Sequence, residues 1–325
     1  MDITKIFKIE DEEEFNTIAI ETFKNQYRSI EIYKKYIDTR GIDVNKVDHF
    51  KGIPFLPIEF FKTFSIKSCD KPTQKTFMSS GTTNSLRSKH HVTDLSIYES
   101  SFLECFYRFY GNPKDWIILS LLPSYIEQGD SSLIYMVNHL MKMTKNKNSQ
   151  FITIDTENLH DIITKLVKKK VLLIGVSYAL LDLSEKFNFD LSKWTIMETG
   201  GMKGRRKELI RSELHAILNN AFKTHQIHSE YGMTELLSQA YSSKDGVFTT
   251  PPWMKILVRE VNDPLNYIDN GKTGGLNIID LANQNSCSFI ETKDLGRKIN
   301  VHDFEISGRF DQSDIRGCNL MNIAN

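Results

Sequence analysis

Phe77-Met78-Ser79-Ser80-Gly81-Thr82-Thr83-Asn84-Ser85-Leu86-Arg87-Ser88 is the stretch from which the rest of this chain is best read. It sets one glycine among four hydroxyl side chains, directly after a run that reads as a strand. Gly81 has no Cβ, so the backbone there can pass close to an anion. Ser79, Ser80, Thr82 and Thr83 can donate hydrogen bonds to phosphate oxygens, and Arg87 brings positive charge. The same residue types also build polar surface turns for their own backbone reasons. On this stretch alone, a polyphosphate cradle and a surface turn both stand open.

Two later segments bear on the choice. Glu230-Tyr231-Gly232-Met233-Thr234-Glu235 gathers an aromatic ring, a glycine, a hydroxyl and a carboxylate. Thr292-Lys293-Asp294-Leu295-Gly296-Arg297 precedes Ser307-Gly308-Arg309-Phe310-Asp311 and the run Asp314-Ile315-Arg316-Gly317. In this order and at these separations, the three stretches resemble the core motifs of the adenylate-forming superfamily, whose members join a carboxylate to AMP and then pass the acyl group to a thiol. Within it the chain most resembles acyl-protein synthetases of the LuxE type, with phenylacetate-CoA ligases next. That narrower resemblance rests on Ile53-Pro54-Phe55-Leu56-Pro57, Phe60-Phe61-Lys62, Lys89-His90, Leu119-Ser120-Leu121 and Gly129-Asp130-Ser131-Ser132-Leu133, and it runs from about residue 50 onward.

The resemblance implies an α/β fold: a layered adenylate-forming N-terminal domain with a small β subdomain and without the full C-terminal lid. It implies that Ser79, Ser80, Gly81, Thr82, Thr83 and Asn84 wrap the β- and γ-phosphates of ATP, with Arg87 keeping positive charge nearby. Thr234 would touch the α-phosphate, and Glu235 would ligate Mg²⁺, a hard cation that prefers carboxylate, phosphate and water oxygens. Tyr231, with Gly232 and Met233, would lie against adenine, and Gly200 and Gly201 would pass beside the base. Asp294 would accept from the ribose hydroxyls, with Arg309 reaching the same sugar. A thiol must then accept the acyl group. The candidates are Cys318 near the end of the chain, a carrier protein, a reductase or CoA.

Departures from the pattern are as informative as matches. Asn84 stands where glycine is usual, Arg87 where lysine is common, and Asp314 where many members carry lysine. The chain stops fourteen residues after Asp311, the position resembling the hinge to a lid, so the lid lysine that helps adenylation is expected to be missing. Two other readings stay open: a phenylacetate-like CoA ligase, and a nucleotide-binding subunit without turnover.

Composition agrees with a cytoplasmic enzyme. The 325 residues carry 41 basic and 41 acidic side chains, a balance that provides no field for nucleic acid or an anionic membrane. Cys69, Cys105, Cys287 and Cys318 are widely spaced and show no zinc or disulfide pattern, and the adjacent His90 and His91 make a poor metal pair. Solvent or phosphate contact is expected for these histidines. The acidic run Asp11 to Glu14 argues against a secretory signal, and no apolar stretch approaches the ~20 residues of a membrane span. The acid activated is expected to be fatty or aromatic.

Periodicity suggests three segments: a helical cap over 1–50, an α/β core over 51–240 and a small β subdomain over 241–325. Phe15, Ile18, Ala19 and Phe23 lie at helical spacing, as do Phe102, Leu103, Phe106 and Phe109 before the break at Gly111-Asn112-Pro113. Trp116 to Ser120, Phe151 to Ile154 and Val171 to Val176 read as strands, and Tyr135 to Met143, His160 to Lys169 and Lys203 to Asn219 as helices. Glu235 has a second reading, as an acid at the start of a helix carrying Leu236 and Leu237. Gly200-Gly201 could equally be a plain strand-to-helix turn. The Gly129-Asp130-Ser131-Ser132-Leu133 run, with His302-Asp303 available as base and orienter, superficially matches a serine hydrolase. The helix-cap reading of Asp130 or Ser131 is preferred.

Overall fold

A computed structural model describes residues 3–80, 86–123, 129–202, 205–261, 263 and 266–310. Gly81, Thr82, Thr83, Asn84, Cys318, Asp311 and Asp314 therefore lie outside the described residues. The chain forms two compact units, Met1–Pro72 with Pro252–Asn325, and Thr73–Pro251. Residues 1–50 thus fall in the first unit together with the C-terminal strands.

In the first unit, helix Glu12–Ser29 begins at Asp11, whose carboxylate accepts from the Glu14 N–H at 2.9 Å. Three glutamates in the first turn suit the positive end of the helix dipole. Its apolar stripe buries Phe15, Ala19 and Phe23, and Phe23 meets Tyr33 and Phe289 edge-on. Gln26 on the same face is buried but satisfied: it donates to the Asn283 carbonyl at 2.9 Å and accepts from the Ser288 N–H at 3.0 Å. Strands Met254–Arg259, Thr273–Asp280, Phe289–Lys298 and Asp303–Arg309 form an antiparallel meander, and the short strand Leu56–Pro57 runs parallel to Phe289–Lys298.

In the second unit, strands Gln150–Phe151, Ile117–Leu121, Val171–Val176, Thr195–Thr199 and His228–Tyr231 lie side by side and parallel, and antiparallel strands Ala240–Ser242 and Val247–Thr249 continue the order. Every residue of Ile117–Leu121 and Val171–Val176 is buried, as expected of parallel strands covered on both faces. Helix Leu95–Tyr110 buries Tyr98, Phe102 and Phe106 and stops at Gly111, whose φ of 77° suits a residue without a Cβ. Helix Ser132–Thr144 starts at Ser131, whose hydroxyl accepts from the Ile134 N–H at 3.3 Å. That cap employs the serine a hydrolase reading would need as nucleophile.

Some local expectations need correction. The strand read at Phe151–Ile154 is limited to Gln150–Phe151, because the Thr156 hydroxyl takes the Thr153 N–H at 2.7 Å and turns the chain. Of the helix read from Lys203, Lys203 and Gly204 lie outside the described residues, residues 205–210 are not helical, and the helix begins at Arg211. Arg206 is instead drawn across to Asp182 and Glu185 of helix Ser177–Lys186. Among the described residues no helix is long and apolar enough to cross a membrane.

Candidate functional site

The carboxyl ends of parallel strands are where α/β sheets collect ligands, because the loops leaving adjacent strands diverge there. Strand Thr195–Thr199 ends in Gly200 and Gly201 with φ of 74° and 69°, and strand His228–Tyr231 runs into Gly232 and Met233. The Thr199 hydroxyl donates to the Glu230 carboxylate at 2.5 Å, so the two strand ends are bonded just before both glycine stretches. A Cβ on Gly232 would stand 2.5 Å from Glu230 Oε1, so a larger residue there would have to displace that carboxyl. Tyr231 is 9% exposed and rests edge-on against Phe248, with ring centroids 5.9 Å apart.

Beneath these ends lie two carboxyl groups with opposite electrostatics. Burial alone would raise Glu198, but hydrogen bonding to His215 and the Arg211 charge hold it below the ordinary carboxylate value. The Arg211 Nε is 3.2 Å away and Ser177 donates at 3.3 Å. Glu230 keeps some residue surface exposed, yet its carboxyl group is crowded by protein. Desolvation pushes it up to about 7, with the neighbouring Glu198 charge adding to the rise and the Thr199 hydroxyl opposing it. Sequence reasoning missed both roles. The available signal was two glutamates at the ends of consecutive buried strands, where an apolar residue is the default.

Strands Lys75–Met78 and Lys89–Val92 form a hairpin, with Phe77 opposite His90. Beyond the last pair, the Ser79 N–H donates to the Ser88 carbonyl at 3.0 Å and the Ser88 N–H to Ser79 Oγ at 2.9 Å. Arg87 Nε donates to the Ser79 carbonyl at 2.5 Å. The ends of the hydroxyl-rich loop are thus tied into a closed neck, and Arg87 is part of the knot. Ser80 beyond it is exposed.

Thr234 and Glu235 sit on a turn, with the Leu236 N–H bonded to the Met233 carbonyl at 3.2 Å. No helix starts there, so a helix dipole gives no reason for the carboxylate of Glu235, which is only 5% exposed. His90 is not in solvent: it is 1% exposed, and its Nδ1 donates to the Thr234 carbonyl at 2.8 Å. His91, on the other face of the strand, pairs with the Thr76 hydroxyl at 2.9 Å. This unit therefore bonds Arg87 to Ser79 at the neck of the hairpin and His90 of the same hairpin to Thr234, and it brings Gly200 together with Tyr231 and Gly232 through Thr199 and Glu230.

In the first unit, Asp294 and Arg309 stand directly opposite each other on antiparallel strands, and Arg309 Nε reaches Asp294 Oδ1 at 2.9 Å. Asp294 is 7% exposed at its side chain and Arg309 is 70% exposed, so the carboxylate is lodged while the guanidinium that pairs with it stands open to solvent. Thr292 Oγ1 accepts from the Asp294 N–H at 3.1 Å and donates to the Leu276 carbonyl at 2.7 Å. The buried Arg259 in turn donates to the Thr292 carbonyl at 2.9 Å. These supports were not legible in sequence.

The thiols can be sorted. Cys105 and Cys287 are buried, and burial pushes the Cys287 thiol up to about 12, which keeps it protonated and unreactive. Cys69 is exposed. The residues fit an Mg²⁺–nucleotide in donor type: Glu235 supplies one hard oxygen, and Mg²⁺ commonly takes one or two carboxylates and fills the rest with phosphate and water. Among the described residues no group of three or more His, Cys, Asp or Glu is placed to hold a metal by itself, so such an ion would depend on the phosphates.

No family model matches the chain, and no curated protein matches its sequence. Solved structures do match. The chain is similar to ATP-bound MatB from Rhodopseudomonas palustris, with TM-score 0.55 and 14% identity over 74% of this chain and 50% of that one. It is also similar to 2-hydroxyisobutyryl-CoA ligase in the postadenylation state with 2-HIB-AMP, with TM-score 0.67 and 11% identity over 92% of this chain and 68% of that one. The open conformation of the same ligase with 2-HIB-AMP and CoA gives TM-score 0.66 and 11% identity over 93% and 70%. The chain spans about half the length of MatB. At such identities the likeness concerns fold alone, and the fold is the α/β layered arrangement of the N-terminal domain of an adenylate-forming ligase.

Proposed function

We propose that this protein activates a carboxylic acid with ATP, forming an acyl-adenylate and releasing pyrophosphate, and then delivers the acyl group to a thiol. The observation that carries this reading is the His90–Thr234 bond, which ties the hairpin leading into the hydroxyl-rich stretch to the turn after the parallel strand His228–Tyr231, 144 residues away in sequence. The fold shared with ATP-bound MatB and with a ligase carrying 2-HIB-AMP supports it.

The chemistry asks for little covalent help from the protein. A carboxylate oxygen attacks the α-phosphorus, the bond to the bridging oxygen breaks, and pyrophosphate leaves with the electron pair. What must be supplied is a fixed triphosphate and donors where charge accumulates. In this reading Ser79, Ser80, Gly81, Thr82, Thr83 and Asn84 hold the β- and γ-phosphates, with Arg87 bonded to Ser79 at the start of that stretch. Thr234 donates to the α-phosphate. Gly200, Gly201, Tyr231, Gly232 and Met233 line the base, and Asp294 with Arg309 takes the ribose. Mg²⁺ held by Glu235 would neutralise charge on the phosphate oxygens. In the second step a thiolate attacks the acyl carbonyl carbon and AMP departs.

The acceptor is taken to be Cys318 of this chain, a carrier or reductase thiol, or CoA; Cys105 and Cys287 are set aside because they are buried. We take the acid to be fatty or aromatic, as in the acyl-protein synthetases the sequence resembles. The test is acid-dependent exchange of labelled pyrophosphate into ATP across a panel of short, long-chain and aromatic acids, with Glu235→Gln and Asp294→Ala as controls. Exchange with one class of acid, lost in both controls, is the expected outcome. Absence of exchange with every acid, with candidate carrier and reductase proteins present, would overturn it. A Cys318→Ser variant that still retains covalent acyl label would move the acceptor elsewhere.

A further inference from the structure

We propose that His90 is a positioning residue: its imidazole holds the main chain at Thr234 and so sets the spacing between the Lys75–Met78/Lys89–Val92 hairpin and the Thr234-Glu235 turn. The inference rests on the reading given under Proposed function and adds to it a residue outside the nucleotide-binding stretches.

The two pieces it joins are anchored separately. The hairpin is fastened by Phe77, whose ring meets Tyr98 and Tyr135 at centroid distances of 5.5 Å each, and by the Met78 N–H on the Asp130 carbonyl at 3.0 Å. The Thr234 turn leads into Ser238, whose hydroxyl bonds Ser101 on helix Leu95–Tyr110 at 3.0 Å. Between these anchors the His90–Thr234 bond of 2.8 Å is a direct tie. A carbonyl oxygen only accepts, so Nδ1 must carry the hydrogen, and the contact defines the ring's tautomer. His90 is 1% exposed, a burial that shields the bond from competing water.

The consequence for chemistry is geometric. In-line displacement at the α-phosphorus needs the group on that phosphate and the groups on the β- and γ-phosphates held in one register. A misplacement of about 1 Å is enough to cost on the order of 100-fold in rate. A histidine kept only to fill space would be replaced equally well by leucine. A histidine kept for its Nδ1–H would be replaced by asparagine, whose amide N–H falls near the same place, and not by leucine.

Two measurements on the full chain test this. The first is NMR of ¹⁵N-labelled histidine together with amide hydrogen exchange across residues 233–236, in wild type, His90→Leu and His90→Asn. The Nδ1–H tautomer is expected for His90, with faster exchange in the leucine variant and near-normal exchange in the asparagine variant. The second is pyrophosphate exchange with the acid found active. The leucine variant should lose about 10- to 100-fold in kcat with the KM for ATP moved less than about 3-fold, and asparagine should restore most of the loss. Thermal melting of each variant checks that it folds. The proposal is overturned if His90 carries its hydrogen on Nε2, if leucine performs as well as histidine, or if asparagine fails as completely as leucine. If the wild type forms no adenylate with any acid, the proposed function fails while the first measurement still decides the tie: slower-than-leucine exchange in the asparagine variant supports it, and indistinguishable variants overturn it.

Discussion

Two polar arrangements in this protein are held in place by different means. Asp294 and Arg309 face each other across an antiparallel ladder, so the backbone register itself sets their separation. Ser79, Arg87, Thr234 and the carboxyl of Glu230 stand at or beyond the ends of strands, and bonds that each involve a side chain, to neighbouring strands or to the hairpin neck, place them. The contrast teaches where each arrangement is vulnerable. A ladder pair is disturbed by changes that shift the backbone, whereas a strand-end cluster is disturbed by losing one side chain.

The largest effect is expected where the strand-end cluster meets the core. Phe77 is fully buried behind the hairpin, and Phe77→Ala should cost about 3–5 kcal/mol of stability in urea unfolding. A cost below about 1 kcal/mol would show that the hairpin is placed by its hydrogen bonds alone. In the ladder region the corresponding change is to the backbone: a Cβ on Gly296 would stand 2.1 Å from the Glu305 carbonyl. Gly296→Ala should therefore force the two strands apart and destabilise by about 1–3 kcal/mol, with ribose-dependent ATP affinity falling alongside. Unchanged melting and unchanged ATP affinity would mean the ladder yields without moving Asp294.

Glu230 sharpens the comparison through pH. Its carboxyl is raised from an ordinary value of 4.5 to about 7 by desolvation, helped by Glu198. Below 4.5 both folded and unfolded chains hold the proton, and the full stability is present. Between 4.5 and 7 the unfolded chain releases it while the folded chain keeps it, so stability falls as pH rises. Glu230→Gln should remove this slope and, at pH ~8, be more stable than wild type by about 1–3 kcal/mol. Melting curves from pH ~4 to ~8 read the effect, and parallel slopes for both proteins would refute it. The smallest change is expected at Arg309, which is 70% exposed at its side chain. Arg309→Ala should cost under about 1 kcal/mol of stability, because exposed ion pairs contribute little. Any larger effect should appear in nucleotide affinity, measured by calorimetric titration with ATP.

Legibility in the sequence followed the distance between cause and effect. Val171–Val176 was read with its observed ends, since six apolar residues in a row allow little besides a buried strand. Helix Leu95–Tyr110 was legible from its apolar period and from Gly111 at its end. The helix read over Lys203 to Asn219 is present from Arg211 on, but its start was placed too early, because the composition before Arg211 favours helix while Arg206 answers to Asp182 and Glu185 on another helix. His90 was noticed as part of the Lys89-His90 pair and as one of two adjacent histidines, but not for a bond to Thr234. Its partner carbonyl lies 144 residues away, and a main-chain acceptor leaves no trace in residue identity.

By itself, the order of residues determined the strand and helix periods, the glycines that allow close passage, and the kinds of donor available at each motif, because these depend on neighbours within a few positions. Only the folded chain decided that His90 serves Thr234, that Ser131 rather than Asp130 caps its helix, and that of two glutamates on adjacent strands one is held charged while the other is pushed towards its neutral form. Those outcomes depend on desolvation and on partners brought in from distant parts of the chain, and both exist only once the sheet has assembled.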